Sequence, residues 1–277
     1  MIPVRPQSTV SVIIPTCNGE ETLGELFATL HRQTLQPMEV LVADSSSTDG
    51  TVDICKKNGA KVWSLSKNDF DHGGTRSFLT EQASGDILVF FTQDAILVTR
   101  DALELLVKPL LEKNSCACSY GRQLPRTDAL WHAAFLREFN YPATSSVKTF
   151  SDRDRDGLRT IFTSNSFAAY LKVPLLEVGC FKNGLIFGED TCTVGRILQA
   201  GYTNTYVCEA AVYHSHNYSL AEEFRRSFDI GVLHSTEKWL LYTFGKAEGV
   251  GLKYFKSGAV QLAGKRQYLL ILFSSSP

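Results

Sequence analysis

Apolar and polar positions follow two distinct periods along the first 115 residues. VSVIIP (10–15) is a β-branched run that fits a buried strand and ends at Pro15 in the turn TCNG. Leu23, Leu26, Phe27 and Leu30 then recur at i, i+3, i+4 and i+7, one face of a helix. EVLVAD (39–44) reads as a second strand, followed by the turn-rich SSSTDGT. Val52, Ile54 and Cys55 open a helix that ends near Asn58-Gly59, and KVWSL is a third strand. After GGTR a helix runs to about Ser84, and DILVFF (86–91) is a fourth strand. Strands alternating with helices predict βαβ units on a mostly parallel sheet. Ligands of such sheets bind beyond the carboxyl ends of the strands. Asp44 and Asp94 both stand at ends of this kind.

The second half is less regular. Residues 121–160 are polar and punctuated, which predicts long loops plus a short helix. IFTSNSFAAYL (161–171) reads as a strand. GEDTCTVGRILQAGY (188–202) starts acidic, turns helical and closes at Gly201. TYVCEAAVYHSH (205–216) is extended, and SLAE (219–222) has the capping-box pattern that opens a long helix. The pattern contains no internal repeat or linker. It fits one α/β domain over residues 1–235 with a helical appendage over 236–277.

Composition narrows the class. A chain of 277 residues, 44% hydrophobic and 21% charged, is an ordinary globular protein. Its net charge of −1 gives no global reason to bind nucleic acid. Seven cysteines, an odd number without framework spacing, point to reduced thiols and a cytoplasmic setting. MIPVRPQSTV holds no signal-peptide core, and no apolar run reaches the roughly 18 residues of a membrane span. Charge is uneven, however. From Lys238 onward there are six basic residues and one acidic, so the tail is about +5 and the body about −6. With Trp239, Tyr242, Phe244, Tyr254, Phe255 and YLLILF (268–273), that tail suits peripheral contact with a membrane. It equally suits a helical pair packed on the body with its lysines at the surface.

VSVIIPTCNGEETL, VLVADSSSTDGT, ASGDILVFFTQDA and GEDTCTVGRILQAGY, in this order, resemble family 2 glycosyltransferases with the GT-A fold, over roughly residues 9–235. FDHGGTR (70–76) and TQDA (92–95) are similar to the rhamnosyltransferase branch, whose donor is dTDP-L-rhamnose. The sequence departs from the family twice. Thr92-Gln93-Asp94 keeps only the second carboxylate of the usual DxD, and Asp44-Ser45 stands where two acids often occur. The resemblance implies a metal-dependent inverting transferase. Asp94, with His214 or His216, would hold Mn²⁺ or Mg²⁺. Pro15, Thr16, Asn18 and Asp44 would line the base and ribose pocket, with His72, Gly73, Arg76 and Gln93 also on the nucleotide sugar. A glycan or lipid-linked saccharide would be the acceptor, in surface-polysaccharide synthesis.

The chemistry of these residue types agrees. Cleaving a sugar from a diphosphate releases negative charge that a divalent cation stabilises, and such a cation needs as little as one protein carboxylate. On an extended segment His214 and His216 share a face, and imidazole favours manganese over magnesium. Diphosphate leaves without an acid, so one carboxylate suffices to take the acceptor's proton. Asp190 fits that base, with Glu189 orienting the acceptor or the loop. Each residue also has a plainer role: Asp94 and Asp44 as turn caps, Glu189-Asp190 as acids at a helix start, the histidines as a surface or hydrogen-bonded pair. The Gly73-Gly74 pair lets backbone approach a ligand closely, and Arg76 either pairs with diphosphate or braces Asp44. Trp131 and Arg153 to Arg155 contact the acceptor or form a solvated loop. Three other classes compete. A nucleotidyltransferase needs a glycine-rich basic loop after the first strand, where this chain has TCNGEE. An NAD-binding module needs GxGxxG there, which is absent. A non-catalytic sugar-nucleotide scaffold is separated from an enzyme only by assay.

Overall fold

The computed structural model describes residues 8–245 and 250–264. The YLLILF run, Lys246, Glu248, Lys265 and Arg266 lie outside the described residues, and with them much of the basic tail. In chain order the elements are β1 (Val10–Thr16), α1 (Glu20–Leu30), β2 (Glu39–Asp44), α2 (Thr51–Lys57), β3 (Lys61–Ser64), α3 (His72–Gln82), β4 (Ile87–Phe91) and β5 (Ile96–Leu97). Then follow α4 (Ala102–Glu112), β6 (Cys116–Leu124), α5 (Trp131–Asn140), β7 (Ser146–Lys148), α6 (Arg153–Asp156), β8 (Phe167–Leu171), α7 (Lys172–Glu177) and α8 (Glu189–Gln199). The chain closes with β9 (Thr203–Tyr213), α9 (Leu220–Thr236), α10 (Lys238–Phe244) and α11 (Val250–Gly264).

Among the described residues the strands form one sheet in the order β3-β2-β1-β4-β8-β6-β9-β5, with β7 also on β9. β3, β2, β1 and β4 are parallel, as the alternating pattern predicts. Beyond β4 the sheet is mixed. β8 is antiparallel to both β4 and β6, while β6 and β9 run parallel. Both faces are covered at β1 and β4, so these strands read as continuous apolar runs. Val12, Ile14, Val89 and Phe91 face one core with α1 and α4, while Ile13, Leu88 and Phe90 face the other with α3 and α8. At roughly 25 cal/mol per Å² of apolar area buried, these two layers supply most of the drive to fold.

Four sequence expectations shift. α3 starts at His72 rather than after GGTR, because Asp71 caps it by accepting from the amides of Gly73 and Gly74. Strand structure in IFTSNSFAAYL is confined to β8; the polar TSNS half bends away to the site described below. CACSYGRQL forms a long strand, β6, so residues 121–124, expected in loop, are paired. The boundary at 235/236 falls at the α9–α10 turn, and Leu240 and Phe244 of α10 are buried in the common core. Tyr254 of α11 packs on Phe135 and Phe139 of α5, so that part of the appendage lies on the body. All seven cysteines are free thiols.

Gly188 fixes the entry to α8. It has φ +83°, and a Cβ there would stand 2.3 Å from Leu233 Cδ2 on α9. Gly188→Ala therefore combines left-handed strain with a clash, and should cost about 1–3 kcal/mol. Thermal unfolding of the variant checks this; an unchanged midpoint would count against the tight α8–α9 contact.

Candidate active site

β5 pairs antiparallel with β9 through Ile96↔Tyr213 and Leu97↔Val212. Continuing that register by two residues sets Asp94 opposite Ser215, between His214 and His216. The side chains converge accordingly. Asp94 Oδ1 lies 3.5 Å from His214 Nε2, Oδ2 lies 3.6 Å from His216 Nε2, and the two Nε2 atoms are 3.1 Å apart. Gln93 holds the loop: its Oε1 accepts from Thr16 Oγ1 and the Cys17 amide, and its Nε2 donates to the Cys17 carbonyl.

His214 is oriented from behind by a residue the sequence did not single out. Gln123 Oε1, at 3.0 Å, accepts from its Nδ1, and accepts also from Arg137 Nη1 at 2.8 Å. Gln123 Nε2 donates to Ser164 Oγ. The Nδ1 hydrogen is thereby assigned, leaving the Nε2 lone pair facing Asp94. Burial, with Arg137 nearby, holds the His214 pKa down to about 3, and burial lowers that of His216 as well. Two neutral imidazoles and a carboxylate, with ligand atoms within 4.8 Å of one another, match a divalent cation's donor set. Both histidines converge, not one of the pair.

The second cluster starts α8. Glu189 is buried and ion-paired with Arg76 Nη1 on α3 at 3.1 Å. Asn165 bridges the two acids: its Nδ2 donates to Glu189 and its backbone amide to Asp190, while Tyr170 OH donates to its Oδ1. Asp190 also accepts from the Thr191 amide at 2.7 Å. Its pKa is pushed up to about 7, first by burial and then by the neighbouring Glu189. A half-buried carboxylate with that affinity for a proton is suited to general base work near neutrality. Ser164 and Asn165 are adjacent, so one polar segment ties this cluster to the metal-ligand cluster.

Three nucleotide-site expectations acquire different partners. Arg76 braces Glu189 rather than Asp44, because α3 packs against α8. It also donates to the His72 carbonyl, and lies 3.3 Å from His72 Nδ1. Burial, then Arg76, lowers the pKa of His72. Gly73 is approached by the chain itself: a Cβ there would fall 1.9 Å from the Lys182 carbonyl oxygen. Asp44, buried at the end of β2, accepts from the amide and hydroxyl of Ser47, a turn cap. Asn18 (φ +48°) joins the first turn to the second by accepting from the Thr48 amide. With Pro15 and Thr16 ending β1, these residues shape the rim beside Gln93. Trp131 stacks on Phe135. Arg153 covers the Phe150 ring, and Arg155 pairs with Asp152 and Asp156.

Comparison with known proteins adds a family. Residues 11–179 match the profile "Glycosyl transferase family 2". O-antigen chain rhamnosyltransferase WbaN of Salmonella anatum is 40% identical over 249 residues, 89% of this chain and 79% of the relative. O-antigen chain rhamnosyltransferase RfbN of Salmonella typhimurium (strain LT2) is 39% identical over 254 residues, 90% and 79% respectively. Among solved structures, mannosyltransferase PcManGT from Pyrobaculum calidifontis, in complex with GDP-Man and Mn²⁺, superposes with a TM-score of 0.59 at 18% identity. That match covers 95% of this chain and 81% of the other. At such identity the likeness shows the fold.

The donor set predicts metal binding without substrate. Calorimetric titration with Mn²⁺ should give a one-to-one complex. Asp94→Asn should weaken it roughly tenfold or more by removing the anionic ligand. Equal affinity in the two proteins would remove Asp94 from the site.

Proposed function

The chain belongs to glycosyl transferase family 2, and from that premise we propose that it moves L-rhamnose from dTDP-L-rhamnose onto a hydroxyl of a lipid-linked saccharide, with inversion, during surface-polysaccharide assembly. That it is a glycosyltransferase rests on the family. The sugar and the pathway are supported by the names of the two relatives at about 40% identity over nine-tenths of the chain. The observation that carries the mechanism is the pairing of Asp94, His214 and His216 with a basic Asp190 through the Ser164–Asn165 segment.

Asp94, His214 and His216 would hold Mn²⁺ or Mg²⁺, which supplies Lewis-acid neutralisation of the donor diphosphate; two imidazoles favour manganese. Asp190 takes the proton of the acceptor hydroxyl. That oxygen forms the new bond to the anomeric carbon as the bond from that carbon to the diphosphate breaks, and the electron pair leaves with the diphosphate. Glu189, paired with Arg76, raises the basicity of Asp190 through its neighbouring charge. Pro15, Thr16, Asn18 and Asp44 would line the base and ribose pocket; Thr16 and Asp44 end β1 and β2 next to Gln93.

An amphiphilic acceptor accords with the surface. Ile186, Leu220, Phe224 and Phe228 are 64–80% exposed. They lie on the segment leading into Asp190 and on the helix following His216. Leu220, Phe224 and Phe228 recur every four residues on one face of α9. Exposed apolar faces of this kind suit a lipid tail or a bilayer surface. Among the described residues no helix is long and apolar enough to cross a membrane, so peripheral contact is the form proposed.

Two measurements test the reading. Thermal shift with nucleoside diphosphates and Mn²⁺ should favour thymidine; a uridine or guanosine preference would replace the rhamnosyl donor. Asp190→Asn should abolish transfer while leaving nucleotide binding intact. The base must be deprotonated, and its pKa is raised, so activity should climb with pH and level off above about 7. A flat profile from pH 5.5 to 8 would exclude Asp190 as the base.

A further inference from the structure

Arg226 on α9 occupies a position that the mechanism leaves unexplained. Its guanidinium carbon lies 5.6 Å from the Tyr218 ring centroid and 6.0 Å from that of Phe187. Tyr218 stacks on His216, centroid to centroid 5.1 Å. Phe187 is three residues before Asp190. The cation is therefore held by aromatic faces between the metal-ligand cluster and the segment carrying the base. Among the described residues no carboxylate lies within ion-pair distance of it. Glu222, one turn earlier, caps α9 through Ser219. Glu223 and Asp229, one turn to either side, make no ion pair with it.

Charge matching gives this cation a task. Asp94 with two neutral imidazoles and a divalent ion carries a net charge of about +1, against about −2 on a donor diphosphate and about −3 on the departing nucleotide. Arg76, the arginine expected for that role, is committed to buried Glu189. Arg137 is buried behind His214 with a neutral amide as its hydrogen-bond acceptor, and its Nε has no partner. It adds positive potential from behind the imidazole ring. Arg226 faces the other side, half-exposed, and stacking on Tyr218 and Phe187 leaves the N–H edge of its fork free.

We propose that Arg226 binds the donor diphosphate and holds it as the glycosidic C–O bond breaks, its electron pair passing to the leaving phosphate oxygen. This rests on the glycosyltransferase reading of the site. It also links the two halves of the cleft, because the guanidinium touches a ring from each.

The test compares wild type, Arg226→Gln and Arg226→Lys, all with Mn²⁺. Calorimetry measures affinity for thymidine, uridine and guanosine diphosphates and for the matching monophosphates. For the diphosphate that wild type prefers, Arg226→Gln should lose roughly tenfold or more in affinity, the monophosphate changing less than about twofold. Arg226→Lys should recover part of the loss, and kcat should fall more than donor KM rises. Diphosphate affinity equal to wild type in Arg226→Gln would overturn the proposal, as would equal losses for both nucleotides. If wild type binds no nucleoside diphosphate, the donor site itself is refuted and this inference with it. Half-exposure of Arg226 leaves folding unaffected, checked by an unchanged unfolding midpoint.

Discussion

Two imidazole nitrogens 3.1 Å apart both face one carboxylate, and with the rings neutral a single Nε2 hydrogen, that of His216, is left to serve both the His214 Nε2 lone pair and Asp94. His214 has already given its Nδ1 hydrogen to Gln123, whose oxygen identity is secured by the arginine donating to the same atom. What remains at Nε2 is a lone pair directed at an anion. In water such an arrangement would relax; here the β5–β9 register, the Gln93 clamp and the Gln123–Arg137 support hold it in place. A cation relieves the conflict, and holding the ligands ready spares the reorganisation that binding would otherwise require.

The acids at the start of α8 solve a related problem in the opposite way. They are neighbours in sequence, yet their surroundings separate them. Glu189 receives Arg76 and the Asn165 amide group, so its charge is matched inside the protein. Asp190 receives two backbone amides and, among the described residues, no cation at ion-pair distance, and the charge of Glu189 adds to its desolvation. One carboxylate is paired with a cation and the other is kept hungry for a proton. Separating two titratable groups by environment in this way divides acid–base roles between them.

Much of this was legible in the sequence, for reasons that also mark its limits. β1, β2 and β4 announce themselves because they are largely buried on both faces, and each early helix because it is buried on one. Asp94, His214, His216 and Asp190 stand at strand ends or a helix start, where side chains emerge toward ligands. β6 was hidden because Ser119, Gly121 and Gln123 interrupt its apolar pattern; Ser119 gives its hydroxyl to the Leu106 carbonyl of α4, and Gln123 supports His214. Gly121 has no room for a side chain, since a Cβ would meet Phe167 at 2.3 Å. The partner of Arg76 was equally out of reach. It depends on α3 packing against α8, and no local pattern encodes that.

The mixed half of the sheet follows from where these groups must meet. β1, β2, β4, β6 and β9 all end at the same edge, which carries Thr16, Asp44, Asp94, Gln123 and His214. A further parallel strand beside β4 would have begun at the opposite edge. β8 instead runs antiparallel, with Phe91 opposite Phe167, so its beginning meets the end of β4 and the Thr92 amide donates to the Ser166 carbonyl. That reversal delivers Ser164 to Gln123 and Asn165 to Asp190 and Glu189. One antiparallel strand thus sets the acids of the second half against the metal ligands.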